Sequence, residues 1–212
     1  MVPLPLPRPP IDCDELHPTI VTETGTWFRV TGFDPCAYPP GGSALGRFDC
    51  PEDLDAAIHP AHYGVWYGAD SELGAVCEKF GERYGLVTRA LRTGKAVWPV
   101  VPTRILNLVD LRPPAVTGIY RPSPGIHLDL RLSGTEDYDL TQAWSACFHR
   151  CCPDIDGVLY RSRMGGGSSI ALFEALVGLS VVDPLSAVDL DSATSEPLWQ
   201  AFEEATRVPV EA

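Results

Sequence analysis

The sequence predicts an α+β fold built as one domain. Three observations carry this expectation. Strand-like and helix-like stretches are mixed along the chain without a regular strand–helix rhythm, so a parallel βαβ sheet is not indicated. No internal repeat and no clear linker divides the chain. Its 212 residues are enough for a single sizeable core.

Residues 1–24 read as a proline-rich tail and lead-in. Met1–Pro10 lacks the apolar run of a secretory signal and has the composition of an extended, solvated segment. Thr26–Thr31 alternates as a strand, with Phe28 and Val30 on one side and Trp27, Arg29 and Thr31 on the other. Arg29 beside a tryptophan is either a solvent-facing residue, the commoner case, or an anion ligand placed in a cleft. Residues 32–62 are rich in proline and glycine, suggest a short helix at Pro51–Ile58 and include Gly46-Arg47-Phe48-Asp49. So long an irregular stretch inside a domain is often functional.

The centre of the chain is Tyr63 to Tyr84. Tyr63–Tyr67 is a short strand of aromatic and β-branched residues. Asp70 and Ser71 are both good N-caps for a helix running to about Tyr84. Leu73, Val76, Cys77, Phe80 and Tyr84 form its buried stripe. Glu78 stands off that stripe, and its helical neighbours are Gly74, Ala75, Gly81 and Glu82. Three of these are small, so Glu78 stands over a face with little side-chain cover, open to a ligand or another piece of chain. The commoner alternative is a solvent-exposed glutamate on an ordinary amphipathic helix.

Residues 86–98 read as helical, then extended. Arg104–Leu111 is a buried strand ending at Pro113-Pro114, and 112–138 is again rich in proline and glycine. Leu140–Cys151 is a helix capped by Asp139 or Thr141. Asp156–Arg163 is a strand with Val158, Tyr160 and Ser162 on one face and Leu159, Arg161 and Arg163 on the other. The loop Gly165–Ser169 leads to a second strand, Ile170–Phe173. Glu196–Arg207 is a helix in an acidic C-terminal stretch.

The net charge of −12 argues against wholesale binding to a phosphate backbone. No apolar run approaches the roughly 20 residues of a membrane helix. Without a secretion signal, a cytoplasmic location and reduced thiols are expected for the seven cysteines. Cys147, His149, Cys151 and Cys152 have metal-ligand chemistry, but no second pair with knuckle spacing exists. Cys147 and Cys151 instead suit burial as small hydrophobes on the helix, and no metal is expected.

A P-loop, a dinucleotide fingerprint, H-E-x-x-H and G-x-S-x-G are all absent. Glu78, the arginines Arg29, Arg47, Arg161 and Arg163, the strand-end tyrosines Tyr67 and Tyr160, and Ser162 remain. That set suits an anionic ligand with an aromatic ring and a reaction needing one negative charge. For Tyr160, Arg161 and Arg163 a core tyrosine and solvent-facing arginines are the commoner reading.

Phe28-Arg29-Val30, Gly46-Arg-Phe-Asp49, Tyr67-Gly-Ala with Ala75-x-x-Glu78, and Asp156-Gly-Val-Leu-Tyr-Arg-Ser162 followed by Ala171-Leu-Phe173 occur in that order. Together they resemble the RES-domain family, named for an arginine, a glutamate and a serine matched here by Arg29, Glu78 and Ser162. The resemblance implies an ADP-ribosyltransferase-like domain over 25–180, with 181–212 as an extension whose helix packs on it. It implies an NAD+-cleaving enzyme in which water or inorganic phosphate attacks the ribose, with NAD+ as substrate and no separate cofactor. It also implies a toxin of a toxin–antitoxin pair with a protein antitoxin as partner, although 32–62 and 176–212 exceed the short toxins. In that reading Glu78 stabilises the oxocarbenium-like charge, Arg29 holds the pyrophosphate with Arg47, Tyr67 stacks, Ser162 bonds the nicotinamide-side ribose and Tyr160 lines the pocket. ADP-ribosyl transfer to a macromolecular acceptor, or a binding module without turnover, are the alternatives.

Overall fold

A computed structural model describes residues 7–39, 46–51, 63–81, 85–121, 138–162, 167–174 and 177–211. Within them the strands are β1 (Ile20–Glu23), β2 (Trp27–Thr31), β3 (Val65–Ala69), β4 (Ala96–Pro102), β5 (Leu106–Asp110), β6 (Gly157–Arg161), β7 (Ser168–Phe173), β8 (Leu179–Val181) and β9 (Val188–Asp189). The helices are α1 (Glu72–Phe80), α2 (Arg89–Arg92), α3 (Tyr138–Cys151) and α4 (Glu196–Thr206). The fold class is α+β, as the mixed order of elements predicts.

The strands form one sheet in the order β1-β5-β6-β7-β3-β2-β4-β8, with β9 also on β4. The β5–β6 pair is parallel and the others are antiparallel. Most neighbours share several paired residues, but β2 and β3 share only Phe28↔Ala69. The sheet therefore has a seam there. On one side of the sheet, Trp27 and Val100 from beyond the seam pack with Trp66, Leu108, Leu159 and Leu172. The two halves curl over this shared core and bury it between them. On the other side, α3 covers β3, β5, β6 and β7 through Trp144 and Phe148. There too, α1 and α4 cover β2 and β4 through Val76, Phe80, Trp199 and Phe202.

The alternation expected along β2 and β6 is present: Phe28 and Val30 belong to one core and Trp27 to the other, and Val158 and Tyr160 oppose Leu159. Helix α1 starts at Ser71, whose hydroxyl accepts from Gly74 N. Asp70, the other candidate cap, instead accepts from Ser168 N at 2.6 Å and ties α1 to β7. Val76, Cys77 and Phe80 are buried and Leu73 is half-buried.

The structure corrects several expectations. Helix α3 begins at Tyr138, so Asp139 and Thr141 lie inside its first turn and cap nothing; the Thr141 hydroxyl donates to Tyr138 O. Strand β7 begins at Ser168, because its pairing with β6 extends to Arg161↔Ser168. The segment from Pro7 is tied to α3 and not free in solvent: Pro7 O accepts from Trp144 Nε1 at 2.9 Å and Pro10 O from Arg150 Nη2 at 3.3 Å. Prolines lack an N–H but keep a carbonyl acceptor, and the donors of α3 use it. The cysteines are not all thiols, since Cys13 and Cys151 form a disulfide. Cys147 is buried beside it, as a small hydrophobe. The helix suggested at Pro51–Ile58, Tyr84 and Arg163 lie outside the described residues.

Candidate active site

The seam opens a cavity of about 730 Å³ on the face of Phe28, Val30 and Tyr67. Its volume is in the range of small-molecule sites. Strand registers set one wall: Phe28 pairs with Ala69, Ala69 with Ser169, and Ser169 with Tyr160. These four residues make a row across four strands on one face of the sheet. Helix α1 lies over the row, packed against both β2 and β3. Gly74 permits this closeness, because a Cβ there would stand 3.1 Å from the Ala69 Cβ. Ala75 and Glu78, one turn apart, then face the cavity.

Glu78 is half-buried. Its carboxylate and the Tyr160 phenol line the same cavity, close enough for the carboxylate charge to act on the phenol. Burial first, then the charge of Glu78, pushes that phenol well above its ordinary range, while the Arg47 cation and the Ser169 hydroxyl act the other way. Tyr160 therefore keeps its proton at neutral pH. It is both a buried core tyrosine and a wall of the cavity.

Arg47 is 7% exposed and lies over two rings, 5.4 Å from the Tyr160 centroid and 5.9 Å from that of Phe48. Its loop is fixed from several directions. Asp49 Oδ2 accepts from Gly46 N at 2.7 Å, and Asp49 Oδ1 accepts from the Tyr67 phenol at 2.8 Å. The same phenol accepts from Phe48 N at 2.9 Å. Gln142 donates to Gly46 O and Ser145 to Phe48 O, which ties the loop to α3. A Cβ on Gly46 would meet Asp49 Oδ1 and the Tyr67 oxygen at 2.6 Å, so the turn needs glycine. The Tyr67 oxygen is thus committed to the loop, and its ring is what the cavity sees.

The six candidates do not converge equally. Glu78, Arg47, Tyr67, Tyr160 and Arg29 all line the cavity. The Arg29 guanidinium, however, lies 5.5 Å from the Trp66 ring, and its Nη1 donates to the carbonyls of Pro35 and Ala37 at 3.2 and 2.8 Å. Ser162 is buried two residues beyond Tyr160, with its N–H on Gly167 O, and is not among the described residues lining the cavity. Arg161 is exposed. Ser169 and Asp49 were not singled out by sequence reasoning. Ser169 joins the site because β7 extends back to Ser168; Asp49 lies in the Gly46-Arg-Phe-Asp49 motif, but its fold-back onto Gly46 has no sequence signal. Among the described residues no group of three His, Cys, Asp or Glu is placed to hold a metal. Nor does any described helix have the length and apolarity to cross a membrane.

A carboxylate beside a buried phenol, facing a cleft with a ring-stacked guanidinium, defines an α+β protein with a site for a ligand carrying both charge and a flat ring. The chain belongs to the RES-domain family, whose model matches residues 23–193. A chain of the crystal structure of the M. tuberculosis MbcT–MbcA toxin–antitoxin complex has a similar fold. The TM-score is 0.53, over 89% of this chain and 92% of that one, at 19% identity. A search of curated proteins gives no match.

Proposed function

We propose that this protein cleaves NAD+ at the nicotinamide–ribose bond, as the toxin of a toxin–antitoxin pair. The observation that carries the proposal is the Glu78 carboxylate, which faces a cavity also lined by Tyr160, Tyr67 and Arg47. Membership of the RES family supports it, as does the likeness of the fold to a toxin–antitoxin structure.

In this reading the C1′–N bond of the nicotinamide riboside breaks and its electron pair leaves with neutral nicotinamide. Positive charge grows on the ribose, as in glycoside cleavage. Glu78 faces that charge and stabilises it most in the transition state, which is how a fixed carboxylate lowers a barrier. Tyr160 keeps its proton and stands beside the carboxylate as a neutral wall of the pocket. Arg47 meets the pyrophosphate, and the Tyr67 ring lies against the nicotinamide riboside. Arg29 has N–H groups left beyond those on Pro35 and Ala37 and supports the pyrophosphate from β2. Ser162 acts from behind Tyr160. Water attack gives ADP-ribose and a proton; attack by inorganic phosphate gives ADP-ribose 1″-phosphate. A protein antitoxin would act by covering the cavity.

The test is chromatography of NAD+ incubated with the protein, with and without phosphate. Wild type is expected to release nicotinamide, and the second product names the nucleophile. Glu78→Gln is expected to lose at least about 100-fold in turnover while NAD+ affinity stays within a few-fold. Intact NAD+ with wild type would overturn the proposal in favour of transfer to an unidentified acceptor or of binding alone.

A further inference from the structure

Two cavities meet where β2 ends and β4 begins. The first runs from Tyr160 and Glu78 along β2 to Phe33. The second, of about 600 Å³, is walled by Trp98, Pro35, Asp34 and Asp189. Trp98 pairs with Arg29, so it faces the side of the sheet opposite Phe28 and Val30. Thr31, Gly32, Phe33, Gly94 and Lys95 line both cavities. The two are therefore one groove that passes over the strand ends.

The saddle between them is kept low by its glycines. A Cβ on Gly32 would stand 2.7 Å from the Gly94 carbonyl oxygen, and Gly94 has φ +71°, where other residues are strained. Lys95 sits on this saddle with its ammonium anchored on Leu91 O. Two of its three N–H donors remain for a ligand. Phe33 is 80% exposed at the mouth of both cavities. A single exposed aromatic is ordinary on a protein surface. This one stands at the junction of two cavities and beside a fixed cation.

The second cleft has a different charge from the saddle. Asp34 Oδ1 accepts from Cys36 N and Asp189 Oδ1 from Asp191 N, each at 2.9 Å. One carboxylate oxygen on each residue is left to accept from a ligand. Two carboxylates repel an anion, so the occupant there is a neutral ring that carries N–H donors, with Phe33 and Trp98 as flat surfaces for it. Along the groove the protein thus presents acceptors with aromatics, then Lys95, then Glu78.

We propose that this second cleft binds the adenosine half of the dinucleotide. The inference rests on the NAD+ reading of the Glu78 cavity and extends it. Along the ligand the order is a neutral base with an amino group, an anionic pyrophosphate, and a cationic nicotinamide ring. Each part meets its complement: the base meets Phe33, Trp98 and the two aspartates, the pyrophosphate meets Lys95 on the saddle as well as Arg47 and Arg29, and the nicotinamide riboside meets Glu78.

Two measurements on the full chain test this. In the first, nicotinamide release is followed with NAD+ and with nicotinamide mononucleotide, which lacks the adenosine half. The preference for NAD+, as a ratio of kcat/KM values, is expected to fall about tenfold in Phe33→Ala, or about 1.4 kcal/mol. An unchanged ratio would overturn the inference. In the second, AMP is titrated by calorimetry into wild type and Phe33→Ala, with no need for turnover. Binding to wild type that weakens about tenfold or more in the variant supports the cleft; no binding to wild type, or equal binding to both, refutes it. If neither nucleotide is cleaved, the NAD+-cleaving proposal fails by itself, and the AMP titration alone decides the cleft.

Discussion

Tyr67 shows how a single side chain sets the site without touching the reacting bond. Its phenol donates to Asp49 and accepts from Phe48 N, so one oxygen closes the loop that carries Arg47. Burial first, then Asp49, pushes that phenol well above its ordinary range, and it stays a donor. Tyr67→Phe removes the donor to Asp49 and the acceptor for Phe48 N, a loss of about 1–3 kcal/mol in urea unfolding. With NAD+ as substrate its KM is expected to rise more than its kcat falls, because Arg47 is displaced in ground state and transition state alike. Stability and KM both equal to wild type would refute this role. Cys77 adds a pH dependence. Burial first, then the charge of Glu78, pushes its thiol from 9.0 up to about 11. The folded state holds this proton more tightly than the unfolded chain does. The stabilisation is therefore whole below pH 9 and is lost as pH rises through about 11. Denaturant midpoints measured from pH 8 to 11 should fall less steeply in Cys77→Ala; parallel curves would show that the thiol is not a contributor. Helical spacing shows only that Glu78 stands off the buried stripe, and Arg47 and Tyr67 are candidates by residue type; the order of the motifs is what brings the three together. The closeness of Tyr160 to Glu78 has no such signal, because it brings β6 to α1 through a sheet register.

At the scale of elements, α1 is the part that local sequence specifies best. Its stripe is periodic, its cap is adjacent, and its bare face proves to be the roof of the cavity. Ser71→Ala removes the acceptor for Gly74 N and is expected to cost about 1 kcal/mol, read from the chemical-denaturation midpoint. A variant as stable as wild type would mean that the Asp70 tie to Ser168 holds the helix start unaided. The beginnings of α3 and β7 differ from the local sequence signals for a physical reason. Good capping residues at 139 and 141 are a local preference, and the helix overrides them by starting earlier, at Tyr138. Ser168 and Ser169 have weak strand preference and are strand residues only because β3 and β6 flank them.

For the whole molecule, composition and the mixed order of elements gave the fold class, but no local pattern could give the strand order. Neighbours such as β3 and β7 are about a hundred residues apart in sequence, and their pairing is decided by the shared core. The Cys13–Cys151 bridge is also beyond local reading, with a sequence separation of 138. It pins the N-terminal segment to α3, where Trp144 and Arg150 already hold it. A loop this long gives a chain-entropy stabilisation on the order of 4 kcal/mol. Wild type is expected to melt about 10 °C lower in reductant, whereas Cys13→Ser should melt at the same temperature with and without it. A wild-type melting point indifferent to reductant would count against the bridge.

The single residue pair between β2 and β3 also has a mechanical meaning. Backbone hydrogen bonds loaded one at a time yield at far lower force than a ladder loaded side by side. A pull on the two halves of the sheet would therefore separate them between Phe28 and Ala69 before any other strand pair gave way. Helix α1, resting on both strands, is the splint across that line of weakness. The helix that carries Glu78 thus also helps the shared core hold the two halves in one piece.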